Sequence, residues 1–175
     1  MKNFVKGMMS AALIGSMLMS VAGCTSFNLI EYDDFAAALE EEVGLKEDDC
    51  RTGKNKKRNG YEMKRYIEGT KGTSTTFKYY EFKDEDDAVE FFEKQYDEFL
   101  DVIEDEDFEG SHKESFDEDS ATGYILIDGE ADNSSVYGGI YLKENTYITV
   151  ATTGSQDKDR DRVDAVLSAI GYPKP

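Results

Sequence analysis

Few side chains in this sequence are suited to covalent or proton-transfer chemistry, and their spacing narrows the choice further. Nucleophilic hydrolysis needs a base beside the nucleophile. The sequence has a single histidine, His112, set in the acidic stretch from Asp105 to Ser120, and no Gly-x-Ser-x-Gly. His112 is therefore expected in a solvated loop, and no catalytic residue is assigned. Of the two cysteines, Cys50 follows Glu47, Asp48 and Asp49. Those charges disfavour a thiolate, Arg51 only partly offsets them, and an unreactive thiol is expected. Cys24 stands apart, at the end of an uncharged apolar run. Calcium loops need carboxylates at fixed offsets, a glycine for the bend and a closing glutamate. Asp128, Glu130 and Asp132 have the offsets, but Asn133 and Gly139 fill the glycine and glutamate places. Asp157, Asp159 and Asp161 alternate in the same way, with Arg162 and Ser168 in those places. Both read as solvated charge, so no metal and no cofactor are expected. A carboxylate pair could serve a glycosidase, but among 38 acidic residues such pairs arise everywhere by chance.

The segment leading to Cys24 has an order of its own. Lys2 and Lys6 make it positive at the start, and Met8 to Ala22 is an uncharged run of 15 residues. A spanning helix needs about 20, so the run reads as an export segment. The four residues Val21-Ala22-Gly23-Cys24 resemble the lipobox of bacterial lipoproteins: an aliphatic residue, two small residues, then cysteine. Val21 stands where many lipoboxes carry Leu. The resemblance covers residues 1–24 and implies diacylglyceryl transfer to the Cys24 thiol, cleavage before Cys24, and a protein held extracytoplasmically on the cell membrane. The expected organisation is a signal peptide over 1–23, a lipidated Cys24 with a short tether over 24–30, and one domain over 31–175. Six extended residues from Thr25 to Ile30 reach about 20 Å. With Cys24 lipidated, Cys50 has no disulfide partner.

Cleavage removes 23 of the 175 residues, leaving 152, the size of one domain. It also removes Lys2 and Lys6 and takes the formal charge from −18 to −20. Such a surface repels nucleic acid, so no nucleic-acid partner is expected. Against that background Arg51, Lys54, Lys56, Lys57 and Arg58 place five cations in eight residues. They are expected in a loop that either contacts anionic lipid or wall polymer or neutralises nearby carboxylates.

The periodicity predicts helices over Phe35–Val43, capped by Asp33 or Asp34, over a segment following Asp84, and over Lys158–Ala169. Phe91, Phe92, Tyr96, Phe99, Leu100 and Ile103 form the apolar stripe of the middle helix. Tyr61–Glu68 and Thr73–Lys83 read as one hairpin, and Ala121–Asp128, Ser134–Lys143 and Thr146–Thr153 as three further strands. Gly138-Gly139 inside a strand suggests a bulge or a close backbone approach. The result is a single α+β domain of order α-β-β-α-β-β-β-α, with about five mainly antiparallel strands and three helices. That order, with Gly171-Tyr172 closing the last helix, resembles small uncharacterised lipoproteins of Gram-positive bacteria, and the resemblance implies no activity. The expected role is a binding or interaction module for an unidentified protein or small-molecule ligand. The alternative is an envelope-associated hydrolase acting on cell-surface material.

Overall fold

The computed structural model describes residues 27–104, 107–131 and 134–175. The lipobox residues and Cys24 lie outside them. Three helices, α1 (Tyr32–Val43), α2 (Glu85–Glu104) and α3 (Asp157–Ala169), pack on a sheet of seven strands. These are β1 (Arg51–Arg58), β2 (Tyr61–Lys71), β3 (Thr75–Phe82), β4 (Glu109–Asp117), β5 (Thr122–Ala131), β6 (Ser134–Lys143) and β7 (Thr146–Thr152). Every pairing is antiparallel, in the order β1-β2-β3-β7-β6-β5-β4. Two meanders therefore meet at β3 and β7, and α2 carries the chain from the first to the far edge of the second.

The α+β class and the three helices are as expected, but the sheet has seven strands, not about five. Both extra strands are its edges. The stretch read as a basic loop is β1, and the acidic connection holding His112 is β4. Asn59-Gly60, at φ 55° and 93°, turns β1 tightly into β2. A central strand is legible because burial selects its apolar residues. An edge strand exposed on both sides has no such selection, and in β4 only Phe116 is even half-buried.

Each face of the sheet has its own core. On one, Phe35, Leu39 and Val43 of α1 and Val163, Val166 and Leu167 of α3 meet Ile67, Phe77, Tyr79, Ile148 and Val150. On the other, Ala88, Phe91 and Phe92 of α2 meet Met63, Tyr80, Phe82, Ile125, Ile140, Leu142 and Tyr147. The arrangement is three layers, with helices on both faces of an antiparallel sheet. Gly138, at φ 127°, explains the glycine pair: a Cβ there would lie 2.2 Å from the Val150 carbonyl and 2.5 Å from the Ala151 Cα. The pairing of β6 with β5 and β7 runs through it without a slip, so close approach, and not a bulge, is the reason for the glycine.

Two expectations at the start of the domain change. Helix α1 begins at Tyr32, and its N-cap Glu31 makes no side-chain cap bond. Asp33 and Asp34 sit inside the first turn, where the helix dipole favours anions. The earlier start is held by Tyr32, which is buried and donates to Glu47. Phe27 and Ile30, expected in the tether, are buried in the α1/α3 core. The Phe27 ring packs against Tyr124, Tyr141 and Tyr172. The stop of α1 is as read: Gly44 takes the left-handed C′ position at φ 61°, and the Leu45 amide reaches back to the Leu39 carbonyl.

Candidate functional site

The five cations of β1 do not form one patch. Residues opposite each other in an antiparallel pair share a face of the sheet. Lys54 lies opposite Arg65, which binds Asp33 and stacks over Tyr32 of α1, so it stands on the α1/α3 side. Lys57 is ion-paired to Glu62 at 3.5 Å. Arg51, opposite Glu68, and Lys56, opposite Met63, stand on the α2 side with Arg58. The change of side between Lys54 and Lys56 falls at Asn55, which has φ 52°, and beside the register slip of β2 against β3 between Met63 and Arg65. Lys54 and Lys56 make no ion pair among the described residues. On an unpaired edge, lysines also discourage strand-to-strand association between molecules.

Arg58 anchors a polar cluster on the α2 face. Its Nε and Nη2 donate to the two oxygens of Glu68 at 2.7 and 2.8 Å, and the Tyr80 hydroxyl donates to the same carboxylate. Burial alone would raise the Glu68 carboxyl, but these hydrogen bonds and the Arg58 charge hold it below its ordinary value of 4.5. Lys78, on β3, lies across from Glu68 in the register. Helix α2 packs on β3, β7, β6 and β5 and reaches β2 at Tyr61, whose ring meets Phe91 and whose hydroxyl donates to Glu90. Along its uncovered flank runs a groove of about 350 Å³, lined by Asn59, Tyr61, Lys78, Phe91, Lys94 and Gln95. Neither Lys78 nor Lys94 is in an ion pair among the described residues. Three carboxylates close by are engaged by other groups. Glu68 holds Arg58 and Tyr80, Glu90 accepts from the Tyr61 hydroxyl at 3.2 Å, and Glu98 accepts from Gln95 at 2.8 Å.

The remaining candidates are separate from this cluster and from one another. His112 is exposed on β4 opposite Ile127, on an edge and not in a loop. Cys50 is half-buried beside Gly69 and Leu45, and burial, then Asp49 and Glu47, push its thiol up. Asp128 is paired with Arg160 at 2.7 Å and Asp159 with Arg162 at 2.7 Å. Among the described residues no group of three His, Cys, Asp or Glu side chains is placed to hold a metal ion. A second groove, of about 380 Å³, lies between the N-terminal segment, α1 and the end of α3, with Ala37, Ala38, Ala169 and Ile170 as its floor. Lys78 and Lys94 escape sequence reasoning because one is a lone lysine in a strand and the other a helix-surface residue. Only the crossing of α2 over β3 joins them. No described helix is long and apolar enough to cross a membrane. Compared with protein-family models, curated proteins and solved structures, the chain shows no match.

Proposed function

We propose that this chain is a bacterial lipoprotein: an extracytoplasmic binding or interaction module tethered to the cell membrane through lipid on Cys24. The observation that carries the reading is the junction at Cys24. A charged start, a short apolar run and Val21-Ala22-Gly23-Cys24 end three residues before Phe27, which is buried in the domain core. Only Thr25 and Ser26 separate the lipid site from that core, so the domain rides close to the bilayer. Phe27 enters on the α1/α3 face, which sets that face toward the membrane. The α2 face, with the Arg58–Glu68–Tyr80 cluster, then turns outward, and the module meets its ligand there. Arg51 and Lys56 of β1 belong to the outward face, and Lys54, in no ion pair among the described residues, is the cation of the cluster left for an anionic lipid.

The test is Cys24→Ser in the full chain. The variant is expected to lose lipid labelling and to leave the membrane fraction. If it stays in that fraction with its first 23 residues intact, the segment is an uncleaved anchor and the lipoprotein reading is overturned.

A further inference from the structure

We propose that the groove between α2 and the β1–β2 turn binds an anionic sugar or polyol chain, one carrying carboxylate or phosphate groups, outside the bilayer. This rests on the module reading above and names the chemistry of its ligand.

The first argument is charge. Lys78 and Lys94, neither of them in an ion pair among the described residues, line one groove. The reason is local. Glu68 has both oxygens taken by the Arg58 fork and also accepts from Tyr80, so it has little left for Lys78 across the strand pair. Glu90 and Glu98, four residues either side of Lys94 on α2, accept from Tyr61 and Gln95. Both lysines line the groove, each ammonium has three donors, and an anion brought there gains charge-assisted hydrogen bonds. Arg51 and Lys56, on the same face, extend the positive strip to the edge of the sheet.

The second argument is the rest of the lining. Asn59 and Gln95 supply side-chain amides, which both donate and accept and so suit hydroxyl groups. Half-buried Tyr61 supplies aromatic carbon, which packs against the C–H side of a sugar or polyol. A bare inorganic anion would use the lysines and leave these unused. A neutral sugar would leave the lysines unused.

The third argument is position. Phe27 packs on the α1/α3 face, and the groove opens on the other. A domain held through Cys24 keeps its groove on the side away from the anchor. That favours a polymer beyond the membrane over a phospholipid headgroup within it.

The test uses the chain from Thr25 to Pro175, which keeps every residue of both cores. Binding is measured by calorimetry to tetragalacturonate, to an oligomer of glycerol phosphate, to neutral maltotetraose, and to vesicles containing anionic phospholipid. At low salt the chain is expected to bind one of the charged oligomers at least about tenfold more tightly than maltotetraose, the worth of one charge-assisted bond. Lys78→Gln with Lys94→Gln should weaken that binding at least about tenfold, and about 0.5 M salt should weaken it further. Lys78→Arg with Lys94→Arg should retain it. Lys158→Gln with Lys174→Gln, the same charge change away from the groove, should leave it unaltered. Both lysines of the groove are unpaired, so the melting temperature of the Gln variant should stay near that of the parent. Failure to bind either charged oligomer, equal loss in both Gln pairs, or binding to vesicles alone overturns the proposal. None of these touches the lipid anchor, which Cys24→Ser tests by itself.

Discussion

At the scale of single residues, the chemistry of this chain is that of carboxylates short of cations. There are 38 acidic residues to 20 basic ones, and tyrosines take up part of the difference. Tyr32, Tyr61, Tyr80, Tyr96 and Tyr137 each donate to a carboxylate, of Glu47, Glu90, Glu68, Glu114 and Asp164 respectively. Burial first, and then the carboxylate in each case, raises the tyrosine pKa. A neutral donor satisfies the oxygen without the desolvation cost of a second ion. Glu68 takes both a tyrosine and the Arg58 cation, and it gives the clearest prediction. Its folded pKa lies below the ordinary value, so its contribution to stability is present above that value and is lost as pH falls through the folded one. In Arg58→Gln the guanidinium is gone and burial dominates, so Glu68 moves up and the variant recovers as Glu68 protonates. The variant should lose about 1.5–3 kcal/mol at pH 7, and the gap to the parent should narrow toward pH 4. Urea unfolding at both pH values measures this. A gap that stays constant with pH would mean that the lost stability comes from packing of the Arg58 stem and not from its charge.

At the scale of elements, α2 shows how periodicity overstates burial. Its apolar stripe is continuous in sequence, yet only Ala88, Phe91 and Phe92 are buried. Tyr96, Phe99, Leu100 and Ile103 pack on the core only in part, because the second half of α2 runs out toward the exposed edge strand β4. Phe92 has no exposed surface and touches Tyr96, Phe116 and Tyr147. Phe92→Ala should therefore cost about 3–5 kcal/mol through the cavity it leaves. Phe99→Ala, on the same stripe seven residues on, should cost about 1 kcal/mol or less. Thermal melts of the two variants side by side measure the contrast. Equal losses would mean that the far half of α2 is held as firmly as the near half.

At the scale of the whole molecule, the domain begins before its first helix. Phe27 and Ile30 close the α1/α3 core over Tyr141 and Tyr172, at the place where the two ends of the domain meet. A chain starting at Glu31 lacks both side chains. It should be less stable than one starting at Thr25 by about 3–5 kcal/mol, the cost of deleting one buried phenylalanine. Against a total of about 5–15 kcal/mol, that is a large share of the stability of a domain. Chemical unfolding of the two chains decides it. Equal midpoints would show that Phe27 only rests on a complete core.

What the sequence determined by itself was whatever burial or a turn writes into residue types. Val163, Val166 and Leu167 on α3, the Thr, Phe and Tyr alternation of β3, and the two-residue Glu144-Asn145 turn each report an environment within a few residues, and each was legible. So were Gly44, which only a left-handed C′ position explains, and Gly138, whose missing side chain leaves room for β7. The edges were not legible, because β1 and β4 have no buried residue and are held by backbone hydrogen bonds that any sequence can make. The Arg51–Arg58 charges were visible, but not their division between the two faces, which depends on the register with β2 and the turn at Asn55. Nor was the groove visible, since Lys78 and Lys94 become neighbours only when α2 crosses β3 and their local carboxylates are claimed by Arg58, Tyr80, Tyr61 and Gln95. Those are long-range pairings, and only the closed tertiary structure decides which charges find partners and which are left free.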